Sequence, residues 1–259
     1  MPIGTAFTDL RARLDHRFRE TTGAAFALAD ASTVVATGLS EFDRVLGGGF
    51  PRGTIGTLEG PASSGRSALA ARLLATATRT GLGAVVGCEL FPPALAAAGV
   101  RLERLMIVPC TEPVAMARAA DILIRSGAFS VVVIPALPSG RGTGSATWTR
   151  LASLTHRANA VLIALGSEPS SELCYFASVR VEAAIERVRF NGPTGHFCEL
   201  AGYDIRATIR KHKRAAPGAS ALIACTSFED RAPLVAVRER TTPAALGATR
   251  ASGSFALAR

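Results

Sequence analysis

The chain has 259 residues, of which 48% are hydrophobic and 19% are charged, so it can bury a sizeable core as one compact domain with modest extensions. Its 29 basic and 20 acidic residues leave a net charge of +9, which favours polyanions or acidic partners. The longest apolar stretches, such as 131–137, are too short to cross a bilayer, and no charged-then-apolar leader opens the chain. Five scattered cysteines without CxxC spacing exclude a disulfide framework or a cysteine metal site. We therefore expect a cytoplasmic protein without a membrane segment or a bound metal.

The chain begins with a predicted helix, because Phe7, Leu10, Leu14 and Phe18 form an apolar stripe at helical spacing. We assign residues 1–31 to this helix and a linker of small residues. Next, Ser40 is predicted to cap a short helix that runs through Val45 and ends at the glycines 47–49.

Strands and helices then alternate, which predicts an α/β fold with a mostly parallel central sheet flanked by helices. From Val179 onward the apolar residues alternate over longer stretches, which predicts an antiparallel extension of the sheet. We assign the core to 32–225 and a flexible basic tail to 226–259. The predicted strands are 54–58, 84–87, 105–108, 130–134 and 160–165, and the predicted helices are 67–78, 93–98, 113–125 and 147–156.

A glycine-flanked loop, GPASSGRS at 60–67, lies between the first of these strands and the first of these helices. A strand, a glycine loop and a helix in this order direct backbone N–H groups and the helix dipole at an anion, so the loop predicts a phosphate site. Arg66 stands where such loops carry lysine, and its larger planar guanidinium can either fill the cradle or point away from it. The residues establish no cofactor, and ATP with magnesium is the candidate. The predicted nucleotide-binding residues are Gly60, Ser63, Ser64, Gly65, Arg66 and Ser67.

A dense basic run follows near the end of the core and contains both lysines of the chain, Lys211 and Lys213. It also contains Arg206, Arg210 and Arg214. No aromatic residues are interleaved with it, so the pattern favours a solvated face over sequence-specific recognition of nucleic acid.

Five ordered segments resemble the bacterial RecA recombinase core and together span about residues 33–225. The resemblance implies a RecA-like P-loop core. The segments are TGLSEFDRVLGGGFPRGTIGTLEGPASSGRSAL, CELFPPALAAAGV, ARAADILIRSGAFSVVVIP, YFASVRVEAA and YDIRATIRKHKRAAPG.

The resemblance implies that the catalytic machinery is incomplete. Glu89 matches the glutamate that activates the attacking water, but Pro135 replaces the aspartate that organises magnesium and Gly166 replaces the glutamine that senses the γ-phosphate. The segments 138–145 and 167–173 stand in for longer loops that grip single-stranded DNA. We therefore expect a vestigial Glu89, no metal site, and neither ATP turnover nor strand exchange by this chain.

Two features of the resemblance point to protein partners instead. Lys211 and Lys213 match the lysine pair that reaches across a RecA filament interface to a neighbour's ATP. The missing aspartate, the short DNA loops and the segment LFPPALAAAG resemble the ImuA family, which acts in the SOS response and mutagenic translesion synthesis. This implies an adapter whose partners are an ImuB-like relative of Y-family polymerases, an error-prone DNA polymerase and a RecA filament.

Two alternatives remain open. The chain is a working ATPase if Arg66 substitutes for lysine and Glu89 activates water. It is a RecA paralogue that coats single-stranded DNA if the net charge alone drives binding, in which case the affinity falls steeply with salt.

Overall fold

Strands and helices alternate along the chain, and the computed structural model describes residues 33–87, 90–192, 199–214, 217–226 and 235–236. In these residues the strands are β1 (Val34–Val35), β2 (Phe50–Pro51), β3 (Thr54–Glu59), β4 (Leu82–Val86), β5 (Leu105–Val108), β6 (Phe129–Pro135), β7 (Val161–Gly166), β8 (Val179–Asn191), β9 (Glu199–His212), β10 (Ser220–Thr226) and β11 (Val235–Ala236). The helices are α1 (Ser40–Val45), α2 (Arg66–Thr80), α3 (Pro92–Ala97), α4 (Pro113–Arg125), α5 (Ser145–Ala158) and α6 (Ser171–Phe176), with a 3₁₀ turn at Leu102–Arg104.

One large sheet contains the strands β11-β10-β9-β8-β3-β7-β6-β4-β5 in that order. The strands from β8 to β5 are parallel, whereas β9, β10 and β11 continue the sheet in antiparallel pairs. β1 and β2 pair separately. This arrangement confirms the predicted α/β class, with its mostly parallel sheet and antiparallel extension.

Two apolar layers cover the two faces of the sheet. The strand β6 is a continuous apolar run because its side chains contribute to both layers. Val131 and Val133 belong to the layer on the α2 side, whereas Val132 and Ile134 belong to the layer on the side of α4 and α5. A parallel strand buried on both faces needs apolar side chains at every position, not at every second one. Trp148 of α5 is fully buried in the second layer.

The start of α1 differs from its prediction. Ser40 is the first helical residue, Leu39 holds the cap position, and no side chain caps the backbone there. The prediction that Ser40 caps the helix is therefore wrong. The Asp43 carboxylate instead organises the preceding turn, accepting hydrogen bonds from the N–H and hydroxyl of Thr37, each at 2.7 Å, and from the N–H of Gly38 at 3.0 Å. Despite these bonds, burial raises the pKa of Asp43.

Both predicted ends of the chain fall mainly outside the described residues. The N-terminal helix assigned to 1–31 lies there entirely. Within the segment 226–259, Val235–Ala236 form β11 and pair with β10, so the chain rejoins the sheet inside the predicted tail. Among the helices in the described ranges, none qualifies as a membrane-spanning segment.

Candidate nucleotide site

The loop between β3 and α2 has a backbone that requires glycine at two positions. Gly60 has φ of +137° and Gly65, at the start of α2, has φ of +90°. A Cβ on Gly60 would lie 2.4 Å from the carbonyl oxygen of Ala183, and a Cβ on Gly65 would lie 2.5 Å from Cδ1 of Ile205. β8 and β9 therefore press directly against the loop. The 15-residue helix α2 begins there and directs its free N–H groups at the loop.

The serines of the loop differ in their surroundings. Ser63 has a left-handed backbone with φ of +60°. Ser64 is only 3% exposed, and its Oγ has no hydrogen-bond partner among the described residues. Ser67 is exposed on the first turn of α2. Because buried hydroxyls are normally paired, the Oγ of Ser64 is a group that water or a ligand oxygen would satisfy.

The side chain of Arg66 bonds to the protein itself. Its Nη1 donates a hydrogen bond to the carbonyl oxygen of Gly60, at the opposite end of the same loop. The same nitrogen lies 3.2 Å from Oγ of Ser167, just beyond β7. The guanidinium thus bridges the phosphate loop and the segment after β7, and an incoming phosphate would have to compete with both oxygens.

The ends of β6 and β7 close the other side of the loop. Pro135 ends β6 opposite Leu165, and the N–H of Gly60 donates to the carbonyl of Gly166 at 3.2 Å. A Cβ on Gly166 would lie 2.4 Å from the Cβ of Ala136, so no glutamine side chain fits at this position. The loop backbone fits a phosphate, but Pro135 offers no carboxylate to magnesium, so the residues do not fit ATP with its metal.

The predicted catalytic residue Glu89 lies outside the described residues. Its position relative to the loop therefore stays a prediction that follows from the resemblance.

A cavity of about 560 Å³ opens beside the loop, a size typical of small-molecule sites. Its outer wall is apolar and consists of Ile185 and Val188 from β8 and Leu200 and Tyr203 from β9. Burial raises the pKa of Tyr203 to about 12. Sequence reasoning missed this wall. The alternation after residue 179 was the available signal, but only the register of the strands shows which face meets the loop.

A buried ion pair next to the loop was also missed. Glu59, the last residue of β3, is 7% exposed and accepts a 2.5 Å hydrogen bond from the hydroxyl of Thr57. Its two oxygens also accept from Nε and Nη2 of Arg180 at 2.7 and 2.8 Å. These bonds raise the pKa of Arg180. A bidentate pair of this kind fixes the end of β3 to the start of β8.

The two lysines have different surroundings. Nζ of Lys211 donates to the carbonyl oxygens of Cys174 and Tyr175, at 2.7 and 3.1 Å, and so binds the end of α6. Burial is the main cause of the lowered pKa of Lys211. Lys213 is exposed, and its backbone N–H donates to the carbonyl of Ser178 at 3.0 Å. The predicted trans-acting pair is thus one helix-capping lysine and one exposed lysine.

Two arginines of the basic run pair with acidic residues of the neighbouring strand. Nη2 of Arg206 lies 2.8 Å from Oε1 of Glu186, and Arg210 forms an ion pair with Glu182. These cross-strand pairs neutralise part of the run, in agreement with its interpretation as a solvated face.

The two short segments 138–145 and 167–173 contact each other. The Ser139 hydroxyl donates to the Glu172 carboxylate at 2.6 Å, which is the main cause of the lowered pKa of Glu172. The second segment is partly helical, because α6 begins at Ser171 and the Oγ of Ser170 accepts from the N–H of Leu173. Neither segment is an extended loop.

Comparison with known proteins agrees with this architecture. Residues 43–170 match the family described as the MT3502 N-terminal domain. RecA of Picosynechococcus sp. is 34% identical over 119 residues, which cover 43% of this chain and 34% of that protein. RecA of Rubrobacter xylanophilus is 41% identical over 104 residues, which cover 39% of this chain and 30% of that protein. The chain thus matches about a third of the length of these relatives.

Among solved structures, the crystal structure of the RadB recombinase has a TM-score of 0.61 and 18% sequence identity. The match covers 79% of this chain and 100% of that one, and it shows the same fold. The chain is thus similar to RecA over about two fifths of its length and has the fold of the RadB recombinase.

Proposed function

We propose that this chain is a RecA-like adapter in DNA-damage-induced mutagenic translesion synthesis, and that it acts through partners and not through ATP turnover. The bridge from Arg66 to Gly60 and Ser167 is the observation that supports this proposal most directly. In this bridge the guanidinium of Arg66 binds oxygens of the protein and not a phosphate. Pro135 stands where a metal would need a carboxylate.

The partners proposed for the adapter follow from the resemblance to ImuA. They are an ImuB-like relative of Y-family polymerases, an error-prone DNA polymerase and a RecA filament, with single-stranded DNA as a further ligand. The exposed Lys213 supports contact with a neighbouring subunit, whereas Lys211 serves its own chain.

The nucleotide site offers the first test. We expect the purified chain to hydrolyse no ATP above background in the presence of magnesium. We expect Arg66→Lys to bind a fluorescent ATP analogue about tenfold more tightly, the scale of one charge-assisted hydrogen bond, because the compact ammonium cannot bridge both oxygens as the guanidinium does. Fluorescence titration measures the affinity.

Ser167→Ala is the matched control, because it removes one acceptor of Arg66 and should raise the affinity by less than Arg66→Lys does. Magnesium-dependent hydrolysis that disappears in Glu89→Gln would instead support the second candidate, a working ATPase. That result would contradict the proposal that this chain does not hydrolyse ATP.

Binding to RecA filaments is the second test. We expect Lys213→Ala to weaken binding to filaments assembled with ATP on single-stranded DNA by about tenfold, with the melting temperature unchanged, because its side chain is exposed. Interferometry on immobilised filaments gives the affinity.

Arg214→Ala is the control for the filament test, since Arg214 is also exposed and carries the same charge one position away. Equal binding by Lys213→Ala and the wild type would eliminate the trans-acting lysine but leave the polymerase partners. Binding to bare DNA that falls steeply with salt would favour the DNA-coating alternative.

A further inference from the structure

A cavity of about 310 Å³ lies between α4 and α5, a volume at the lower end of small-molecule sites. Ala117 of α4 and Leu151 of α5 line it and belong to the apolar layer on the face of the sheet opposite α2. The segment after β6 also lines the cavity, and a Cβ on Gly142 would lie only 2.9 Å from Cγ2 of Val114 on α4. Two helices and this closely packed segment therefore border the space.

A buried aspartate fixes two arginines beside this cavity. Asp121 of α4 lines the cavity, and its side chain is only 13% exposed. Its Oδ1 accepts a hydrogen bond from Nε of Arg150 at 2.6 Å, and its Oδ2 accepts one from Nη2 of Arg125. Because Arg150 lies on α5 and Arg125 on α4, the carboxylate holds guanidiniums of both helices. Their side chains are still 61% and 55% exposed, so part of each guanidinium stays accessible.

The cavity has hydrogen-bond donors that the protein does not use. The bonds to Asp121 involve Nε and Nη2 of Arg150, and its Nη1 donates to no group in the described part of the chain. Arg118 lies about one turn before Asp121 on α4, lines the cavity and is exposed. Within the described ranges Arg118 forms neither a hydrogen bond nor an ion pair. Arg118, Arg125 and Arg150 around a single aspartate leave an excess of two positive charges.

The shape and the charge of these donors select the chemistry of a ligand. A guanidinium presents parallel N–H groups that match the oxygens of a phosphate or a carboxylate. A carboxylate carries one negative charge and would balance half of the excess, whereas a phosphate monoester carries about 1.5 to 2 negative charges at pH 7. The three free oxygens of the monoester can also accept from Arg118 and Arg150 together. A phosphate monoester therefore matches both the free donors and the charge of the cavity.

We propose that this cavity binds the terminal phosphate of a small phosphorylated molecule, with Arg118 and Nη1 of Arg150 as the donors. Asp121 holds the guanidinium of Arg150 in place before the ligand arrives, which lowers the entropy cost of binding. The site lies on the face of the sheet opposite α2, so it goes beyond the proposed function and does not depend on the phosphate loop. Backbone phosphates of nucleic acid share part of this chemistry, but each of them carries a single charge.

The test titrates inorganic pyrophosphate into the full chain by calorimetry, at constant ionic strength because salt screens general attraction between charges. We expect Arg118→Ala to raise the Kd of pyrophosphate by at least about tenfold, the scale of one charge-assisted hydrogen bond. The melting temperature should stay unchanged, because the Arg118 side chain has no partner in the described ranges. We expect Arg150→Ala to raise the Kd by at least about tenfold as well.

Arg79→Ala is the matched control. Arg79 is exposed in the last turn of α2, on the other face of the sheet, so its loss makes the same change in net charge and should leave the Kd of pyrophosphate at the wild-type value. If Arg150→Ala fails to unfold cooperatively, Arg118→Ala alone decides.

A wild-type chain that binds no pyrophosphate would overturn the proposal. Binding that Arg118→Ala leaves unchanged would also overturn it, and its loss in Arg66→Ala would then place the pyrophosphate in the phosphate loop. A single-stranded thymidine oligonucleotide without terminal phosphates forms the second arm, measured by fluorescence polarisation. If this oligonucleotide binds and Arg118→Ala weakens its binding while pyrophosphate does not bind, the cavity contacts a nucleic-acid backbone and the proposal of a small ligand is overturned.

Discussion

Replacing Glu59 with glutamine is expected to lower the free energy of unfolding by about 3 kcal/mol, the range seen when one member of a buried ion pair is removed. The glutamine keeps the shape of the side chain but leaves the guanidinium of Arg180 without its counter-charge in a half-buried position. Urea denaturation followed by circular dichroism measures the change.

Glu186→Gln is the matched control for this prediction. Glu186 of β8 pairs with Arg206 of β9, but both side chains are more than a third exposed, at 39% and 35%. Because water screens such pairs, the control should lower the free energy of unfolding much less than Glu59→Gln does. Equal losses from Glu59→Gln and Glu186→Gln would show that burial does not set the strength of the Glu59–Arg180 pair.

Gly60→Ala is expected to destabilise the chain by at least about 3 kcal/mol, combining the penalty of a left-handed backbone with a steric clash. The new Cβ would meet the carbonyl oxygen of Ala183 at 2.4 Å and the Oγ of Ser64 at 2.6 Å. A backbone carbonyl in a sheet cannot rotate away as a side chain can, so the loop itself must move. Thermal unfolding monitored by calorimetry gives the difference.

Gly127→Ala separates the clash from the backbone penalty. Gly127 also has a positive φ, of +70°, but a Cβ there would meet nothing within 4 Å. Gly127→Ala should lower the free energy of unfolding by about 1 kcal/mol, which is the cost of the left-handed backbone alone. If Gly60→Ala and Gly127→Ala lower the unfolding temperature equally, the clash with the Ala183 carbonyl adds nothing to the backbone penalty.

The regular elements were predictable because their signals are local. The bounds of α4 and β5 match the predicted 113–125 and 105–108, and β6 extends the predicted 130–134 by one residue at each end. Apolar periodicity and flanking glycines or prolines are contained in a few neighbouring residues. The elements β1 and β2 were not predicted, because two residues show no periodicity. The helix α6 was not predicted either, although α1 and α3, which are equally short, were.

The partners of side chains were less predictable than the elements. Glu59 and Arg180 are 121 positions apart, and Arg66 and Ser167 are 101 apart, so no local pattern joins either pair. The sequence showed that Arg66 was unusual but not which oxygens it would bind. Similarly, the two lysines looked equivalent until the end of α6 was found beside only one of them, Lys211.

The bridge made by Arg66 has a consequence for timing. In nucleotide switches, a γ-phosphate holds a nearby segment in place until hydrolysis releases it, so the rate of hydrolysis sets how long the contact lasts. In this chain a permanent guanidinium contacts Ser167, and no chemical step ends that contact. In the adapter proposed above, this contact would hold the segment in place without ATP hydrolysis, and the complexes would last only as long as their dissociation rates allow.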